Sequence, residues 1–306
     1  MNNIIGNPEF SEIYEALGNA GCMVYRALQA EHGLHSSGHE NATGDDQLEL
    51  DVIADEAFVK ELRKCSSVRY AISEERPKLI PLNDGKYSVA LDPLDGSKSA
   101  IVGIPSGAIF CIFGDAEDAA DFNGSNVKAS GFFVFGLNLE VFFADSTGVF
   151  RGVYDPLDQS WTIREVPAQL PSSKFFAVNA SNKYFWEDWL QKHYDHLINV
   201  GPGEKPDNLR WYASMVSEIK RLVIQGGVFA YPGDTRDGYQ DGHLRLVYEA
   251  IPMAFLIGQL GGSSTDGLTS ILSKKVVELH QKTPVFLGEA TKIRALEQAK
   301  IDSETL

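Results

Sequence analysis

The sequence has few cysteines, little positive charge and no long apolar run. Only three cysteines occur among its 306 residues, and their spacing matches no metal-binding pattern, so we expect no disulfide framework. We expect Cys22, Cys65 and Cys111 to be ordinary core or near-core thiols of a protein in a reducing compartment. No apolar run is long enough to span a membrane and no signal peptide is visible, so a cytoplasmic location is expected.

The scarcity of positive charge restricts the partners of the protein. The chain has 27 Lys and Arg residues against 42 Asp and Glu residues, which gives a net charge of −15. A surface this acidic argues against nucleic acids and anionic membranes as partners, because phosphate groups need basic counterparts. An anionic small molecule would have to be attracted locally, by metal ions and by a few well-placed Arg and Lys side chains.

Apolar spacing predicts helices first, then strands, then helices again. A helix is expected from Glu9 to Ala30, followed by a mobile loop at Gly33–Gly44 and by a second helix whose Asp55 lies on a solvated face. Six strands are expected next, at Val68–Ser73, Tyr87–Leu91, Ala108–Phe113, Phe132–Leu137, Glu140–Ala144 and Val149–Tyr154. Three further helices are expected, at Lys183–His193, Ala213–Gln225 and Leu244–Leu260, before a last strand at Pro284–Leu287 and a C-terminal helix. This order predicts a layered α/β fold.

Two acidic segments each follow a predicted strand directly. Glu74 and Glu75 come after one strand, and Asp92 and Asp95 come after the next, within the segment DPLDGS. Because side chains at strand ends converge at one edge of a sheet, we expect these carboxylates to cluster, with the backbone carbonyl of Leu94 free to point inward. Clustered carboxylates repel one another unless a cation neutralises them, and oxygen ligands favour Mg²⁺ or Mn²⁺ over zinc.

A glycine-containing turn, Gly96-Ser97, follows these acids at once. Such a turn presents backbone N–H groups to an anion. Cations beside an anion cradle are typical of phosphate-ester hydrolysis, in which a bound cation polarises the phosphoryl oxygens and a carboxylate accepts a proton from water. The alternative is a solvated turn, because D-P-x-D-G is a common turn composition. The two glutamates at a second strand end favour the site.

Four phrases of the sequence resemble a known family. The phrases SEE, YSVALDPLDGS, YPGD and LRLVYEAIPMAFLIGQLGG resemble the class I fructose-1,6-bisphosphatase and sedoheptulose-1,7-bisphosphatase family, in family order and over nearly the whole chain. The resemblance implies an αβαβα sugar-phosphatase fold and metal-dependent hydrolysis of the 1-phosphate of a ketose bisphosphate, with Mg²⁺ or Mn²⁺. A Pro- and Ser-containing connector at Val166–Ser173 predicts a metal-binding half at residues 1–170 and a half at 171–306 that completes the sugar-phosphate site.

The resemblance also implies roles for individual residues. The implied metal ligands are Glu74, Asp92, the Leu94 carbonyl, Asp95 and Glu249, with Asp45 as an acid from a mobile active-site loop. The implied catalytic acids are Asp51, Glu75 and Glu74. The implied substrate contacts are Asp95, Gly96, Ser97, Asn179, Arg210, Met215, Tyr231, His243 and Arg245. Arg210 lies where the family reaches into a neighbouring subunit, which implies a homodimer or homotetramer, whereas Met215 fits a core position equally well.

Departures from the fructose-bisphosphatase pattern favour a longer sugar. His243 stands where that pattern has Lys, Trp211 stands where it has Tyr, and a second phosphate-site Tyr is replaced near Asn182. The loss of one fixed positive charge and two hydroxyl groups would weaken a six-carbon phosphate pocket. The phrases GDDQLELDVIADEAF and YAISEERPKL also resemble the sedoheptulose enzymes. We therefore favour sedoheptulose 1,7-bisphosphate over fructose 1,6-bisphosphate as the substrate.

Two other functions stay open on sequence alone. An inositol-monophosphatase-like enzyme would share the E…DPxDG metal pattern, although the YEAIPMAF phrase and the region of Arg210 argue against it. A catalytically silent binding protein would share the fold, although all the ligand acids are intact. Tyr248 and His280, which has no partner visible in the sequence, are expected to be structural.

Overall fold

The computed structural model describes residues 6–30, 36–40 and 46–305, and of residues 36–40, 46 and 47 it describes the backbone only. The helices are α1 Ser11–Gln29, α2 Glu49–Leu62, α3 Ser97–Ala100, α4 Asp188–Ile198, α5 Met215–Gln225, α6 Ile251–Gln259 and α7 Ala290–Glu304. The strands are β1 Ser36–Glu40, β2 Asp46–Leu48, β3 Val68–Ser73, β4 Ile80–Pro81, β5 Tyr87–Asp95, β6 Ser106–Phe113, β7 Val127–Phe135, β8 Leu139–Asp145, β9 Gly148–Asp155, β10 Ser160–Glu165, β11 Phe175–Ala177, β12 Asn208–Leu209, β13 Val228–Tyr231, β14 Leu244–Arg245, β15 Ser263–Thr265, β16 Lys282–Thr283 and β17 Val285–Gly288. Over these ranges, none of the helices is long and apolar enough to cross a bilayer.

The larger sheet has eight strands in the order β10-β9-β8-β7-β6-β5-β3-β4. All neighbours are antiparallel except β3 and β5, which run parallel with Ser73 opposite Leu91. The carboxyl ends of β3 and β5 therefore lie at the same edge of the sheet. This edge brings together the two acidic segments that follow these strands.

Helices cover both faces of the larger sheet, and this explains why its central strands are almost wholly apolar. Along β6, Ala108, Phe110 and Ile112 pack in one buried cluster with α1 and α2. The alternate residues of β6, Ile109, Cys111 and Phe113, pack in a second cluster with α5 and α6. Since successive side chains of a strand point to opposite faces, both faces have to be apolar.

A second sheet lies on the other side of α5 and α6. Its five strands are ordered β12-β11-β13-β17-β15. Ala177, Phe229 and Leu287 from this sheet join the cluster of α5 and α6, while Phe176 and Phe286 pack with α4 and α7. The result is a five-layered αβαβα arrangement, as the resemblance implied. One buried cluster therefore contains residues from both sides of position 170, and the division into two halves stays a prediction.

The structure corrects three expected elements. Part of the predicted loop at Gly33–Gly44 is a strand, because β1 pairs antiparallel with β2. The helix expected at Lys183–His193 begins at Asp188, after a 3₁₀ segment at Ala180–Phe185 whose first turn is capped by Asn179. The helix expected at Leu244–Leu260 is divided into β14, a π-helical turn at Leu246–Ala250 and α6.

Backbone pairing explains the division of that last helix. The residues of β14 pair with β16, which removes them from the helix. Pro252 does not kink the middle of a helix, because it lies in the first turn of α6, where its missing N–H is tolerated.

The expectation that Asp55 lies on a solvated face is also wrong. This side chain is buried, and its Oδ2 accepts a hydrogen bond from Arg76 Nε at 2.6 Å.

Asp145, at the end of β8, ties the N-terminal segment to the larger sheet. Its side chain is fully buried, and Oδ2 accepts hydrogen bonds from Asn7 N at 2.8 Å and Tyr14 Oη at 2.7 Å. Oδ1 accepts from the backbone N and the hydroxyl of Thr147. A buried acceptor that serves several donors is costly to remove, because each donor loses its partner.

We predict that Asp145→Ala lowers the free energy of unfolding by about 3 kcal/mol, and that Tyr14→Phe lowers it by about 1 kcal/mol. The first change leaves the donors of Asn7, Tyr14 and Thr147 without an acceptor, whereas the second removes a single hydroxyl. Urea unfolding followed by circular dichroism would measure both values. Equal losses for the two variants would contradict a central role for the carboxylate.

Candidate active site

The end of β5 brings Asp92 and Asp95 to the same side of the sheet. Residues three apart on a regular strand point to opposite faces. Here the pairing of β5 with β6 shifts register between Asp92 and Asp95, so the strand does not keep its alternation. Asp92 Oδ1 accepts a hydrogen bond from Leu94 N at 3.1 Å, which closes a tight turn between the two acids.

Glu249 joins these two acids from a distant part of the sequence. It lies in the π-helical turn before α6, and its Oε2 accepts a hydrogen bond from Arg245 N at 2.6 Å. One carboxylate oxygen from each of Asp92, Asp95 and Glu249 lies within 4.8 Å of the other two. Glu74, directly after β3, lies beside them, with its Oε1 3.5 Å from Arg245 Nη2. We call Glu74, Asp92, Asp95 and Glu249 the acid cluster.

Burial and mutual repulsion raise the pKa values of this cluster. For Asp92 and Glu249 the pKa lies well above the ordinary range, because both carboxyls are buried and the charge of Glu74 is close to each. Burial raises the pKa of Asp95 to about 6, although hydrogen bonds from Val216 N and Ser214 oppose the shift. Three carboxylates at this separation, two of them buried and Asp95 half-buried, are unfavourable unless a cation lies between them.

The donor set fits a hard divalent cation. The cluster offers only carboxylate oxygens, without the Cys or His ligands that favour zinc, and three of its members, Asp92, Asp95 and Glu249, are close enough to share one ion. Mg²⁺ and Mn²⁺ are the ions that such oxygen ligands favour. The structure places Leu94 between the two aspartates, and the ligand role of its carbonyl stays a prediction.

Asp95 also connects the cluster to α5. Its Oδ2 accepts hydrogen bonds from Val216 N at 3.0 Å and from Ser214 Oγ at 3.3 Å, at the N-terminus of the helix. Negative charge is stabilised there by unpaired backbone N–H groups and by the helix dipole. Gly96 follows with φ +75°, and a Cβ at this position would come within 3.2 Å of Ser214 Cβ. Glycine is therefore required both by the backbone conformation and by the close approach of α5.

Asp51 approaches the same region from α2. Its Oδ2 accepts a hydrogen bond from Leu48 N at 2.7 Å, and its side chain also bonds to Ser97. Burial raises the pKa of Asp51 to about 6, while the hydrogen bonds and the charge of Lys98 oppose the shift. Glu75 is half-buried, and its charge adds to the raised pKa of Asp92. The structure therefore places both predicted water-activating acids next to the cluster.

Polar and aromatic residues lie on the far side of the cluster. Asn179 follows β11 and Tyr231 ends β13; these strands are parallel neighbours, so the two residues lie at one edge of the second sheet. The ring of His243 packs edge-on against Tyr231, with ring centroids 6.0 Å apart. Burial and the nearby charge of Glu249 raise the pKa of Tyr231. The group formed by Asn179, Tyr231, His243 and Arg245 is therefore continuous with the acid cluster.

The segment before α5 carries the remaining predicted contacts. Arg210 is exposed, and its Nη1 donates to Asn208 Oδ1 at 2.6 Å and to the Leu209 carbonyl at 2.8 Å. Met215 is buried in the core, and Trp211 packs on Phe229 with ring centroids 6.3 Å apart. The Arg210 side chain thus bonds to its neighbours Asn208 and Leu209, while its backbone N donates to the Phe176 carbonyl at 3.1 Å, and its role toward a neighbouring subunit stays a prediction.

Sequence reasoning missed two residues that shape this segment. Ser214 bonds to Asp95, and the buried Glu218 accepts a hydrogen bond from Tyr212 N at 2.6 Å while it pairs with Arg221. A Ser directly before an apolar helix is the one signal that predicts such a cap. One predicted residue, Asp45, lies outside the described residues.

Comparison with known proteins identifies the same family in both parts of the chain. Residues 3–165 match the family model "Fructose-1-6-bisphosphatase, N-terminal domain", and residues 170–300 match "Fructose-1-6-bisphosphatase, C-terminal domain". The chain is 36% identical over 294 residues to a class 1 fructose-1,6-bisphosphatase of Paracoccus denitrificans, covering 94% of this chain and 88% of the relative. It is 38% identical over 300 residues to one of Cereibacter sphaeroides, covering 94% and 89%.

Solved structures agree with the sequence comparison. Leishmania major fructose-1,6-bisphosphatase in its holo form superposes with a TM-score of 0.88 and 27% identity, covering 96% of this chain and 95% of that chain. The fold and the two family matches are those of a phosphoric monoester hydrolase. The chain belongs to the class 1 fructose-1,6-bisphosphatase family, whose members are phosphatases that hydrolyse sugar bisphosphates.

We predict that Asp95→Ala lowers turnover by more than about tenfold at saturating Mg²⁺, because it removes both an acid of the cluster and the acceptor at the N-terminus of α5. Phosphate release from a sugar bisphosphate would measure the loss. Asp158→Ala, at an exposed position of the turn after β9, is the control and should leave turnover unchanged. Retention of full activity by the Asp95 variant would contradict the assigned site.

Proposed function

We propose that this protein hydrolyses the 1-phosphate ester of fructose 1,6-bisphosphate, with Mg²⁺ held by the acid cluster. The observation that carries the proposal is the meeting of Asp92, Asp95 and Glu249 within 4.8 Å, beside Glu74. The named relatives are all fructose-1,6-bisphosphatases, which supports the six-carbon sugar as the first substrate to test.

The residues of the site would perform three tasks: metal binding, proton transfer and phosphate binding. The metal ligands would be Glu74, Asp92, the Leu94 carbonyl, Asp95 and Glu249. When bound, divalent cations polarise the phosphoryl oxygens and lower the pKa of bound water. Asp51 and Glu75 would accept the proton of the attacking water, and the pKa of about 6 for Asp51 suits a proton acceptor near neutral pH. Gly96 and Ser97 would present their backbone N–H groups to the reacting phosphate.

The sugar and its distal phosphate would bind on the far side of the acid cluster, next to Asn179, Tyr231, His243 and Arg245. Arg245 is buried and supplies a fixed positive charge, while Tyr231 and Asn179 supply neutral hydrogen-bonding groups. Met215, which is buried in the first turn of α5, would line the sugar site. The exposed Arg210 would reach the same site of a neighbouring subunit in a homodimer or homotetramer.

Sedoheptulose 1,7-bisphosphate is the second candidate substrate. The observation that favours it is the replacement of a Lys by His243, whose ring lies between Tyr231 and Tyr239. A neutral imidazole holds a distal phosphate less firmly than an ammonium group does. A seven-carbon sugar would place that phosphate farther from the cluster, where His243 matters less.

A kinetic comparison of the two sugars tests the substrate. We predict a higher kcat/KM for fructose 1,6-bisphosphate, with measurable activity on the seven-carbon sugar, because differences of one carbon unit are worth only about ten- to two-hundredfold in such pockets. Phosphate release with Mg²⁺ present gives both values. A higher kcat/KM for sedoheptulose 1,7-bisphosphate would reverse the assignment, and inositol monophosphate serves as the control for an inositol-phosphatase activity.

We predict that Glu75→Gln lowers kcat by about a hundredfold or more and leaves Mg²⁺ affinity within about threefold. The amide keeps the shape of the side chain but cannot accept the proton of the attacking water. Calorimetry measures Mg²⁺ binding and phosphate release measures kcat. Glu56→Gln, at an exposed position of α2, is the matched control. A parallel loss of Mg²⁺ affinity would show that Glu75 acts as a ligand instead.

A further inference from the structure

One short segment, residues 280–283, contacts two of the three parts of the chain that supply the acid cluster. His280 Nε2 lies 3.1 Å from the carbonyl oxygen of Arg76, one residue after Glu75. The carbonyl of Gln281 accepts a hydrogen bond from Leu246 N at 2.7 Å. The next two residues form β16, which pairs with β14 directly before the π-helical turn of Glu249. The segment therefore joins the Glu74-Glu75 turn to the Glu249 turn.

The turn that carries Glu74 and Glu75 makes several other contacts. Glu74 N donates to the Leu91 carbonyl at 3.0 Å, and Glu75 N donates to Ser73 Oγ at 3.3 Å. Arg76 N donates to the Ser73 carbonyl at 3.1 Å, which closes the turn upon itself. The side chain of Arg76 pairs with the buried Asp55 of α2. His280 and the ion pair between Glu74 and Arg245 are the contacts in this set that tie the turn to the segment that bears Glu249, because the others fix it relative to β3, β5 and α2.

The surroundings of His280 hold its ring in one orientation. A carbonyl only accepts hydrogen bonds, so Nε2 donates to Arg76, and this defines the tautomer of a neutral ring. The ring packs against Tyr248, the neighbour of Glu249, with centroids 5.2 Å apart. Nδ1 is buried and has no hydrogen-bond partner among the described residues. The His280 ring therefore contacts both Tyr248 and Arg76.

We propose that His280 is a positioning residue that fixes the distance between Glu74-Glu75 and Glu249, and so sets the affinity of the acid cluster for a divalent cation. The inference rests on the proposed function, since it takes the cluster to be the cation site. Like charges push the two turns apart when no cation is present, and a donor anchored on one turn and bonded to the other opposes that movement. Loss of such an outer contact typically weakens metal affinity by about ten- to a hundredfold.

Three variants separate the hydrogen bond from the packing of the ring. His280→Gln places an amide N–H close to the position of Nε2 and should bind Mn²⁺ within about threefold of wild type. His280→Asn carries the same amide one methylene shorter, cannot reach the Arg76 carbonyl and should bind Mn²⁺ about tenfold more weakly. His280→Leu removes the donor and keeps apolar bulk, so it should resemble the Asn variant. The control is His196→Gln, at an exposed position of α4.

The experiment measures free Mn²⁺ by electron paramagnetic resonance during titration of the full-length protein with Mn²⁺ alone, without substrate. If His280→Gln keeps its Mn²⁺ affinity and His280→Asn binds Mn²⁺ more weakly, the positioning role is supported. The same two variants decide the question if His280→Leu does not fold. Equal affinities in all variants, or equal losses in Gln and Asn, would overturn it while the wild-type protein still binds Mn²⁺. Absence of Mn²⁺ binding by the wild-type protein would instead overturn the proposed function, and the inference with it.

Discussion

Mutual repulsion among buried carboxylates is the constraint on which the centre of this protein depends. Asp92, Asp95 and Glu249 meet within 4.8 Å in a buried setting, where like charges are costly. Each acid accepts a backbone N–H, from Leu94, Val216 and Arg245 respectively, and these hydrogen bonds offset part of the repulsion. They do not remove it, as the raised pKa values of Asp92 and Glu249 indicate. A hard cation is the partner that completes such a centre.

Three parts of the layered fold contribute residues or N–H groups to the acid cluster. The parallel pair β3 and β5 brings Glu74 to the same edge as Asp92. The first turn of α5 contributes N–H groups to Asp95, and the π-helical turn before α6 contributes Glu249. Because α5 and α6 lie between the two sheets, the two neighbours of Glu249, Tyr248 and Ala250, share one buried apolar cluster with Met215 and Phe229. A change in packing between the sheets would therefore affect both the acid cluster and the residues proposed to hold the sugar.

Local sequence rules were sufficient for part of the site. Strand ends followed by acids predicted the meeting of Glu74 with Asp92 and Asp95, since strand pairing alone brings them together. Glu249 and Asp51 could be assigned only by resemblance, because nothing local indicates which distant helix packs on which sheet. The bond from Ser214 to Asp95 was missed for the same reason.

Local sequence rules also failed for part of the fold. The apolar periodicity of residues 244–260 is helical, and it predicted one helix where the structure has β14, a π-helical turn and α6. Pairing with β16, a strand from much later in the chain, overrides the local preference of Leu244 and Arg245. Asp55 was misplaced because its partner, Arg76, lies on a separate turn. Short strands and buried ion pairs depend on contacts between distant segments, which periodicity does not report.

The order of these segments along the chain has a consequence for synthesis on the ribosome. The larger sheet is complete once β10 has emerged, yet the helices that cover one of its faces, and the turn that bears Glu249, emerge much later. Until then Phe132 and Phe142 belong to an aromatic surface that has no cover. A polypeptide released early would expose that surface to chaperones and proteases, and no supply of magnesium would rescue it.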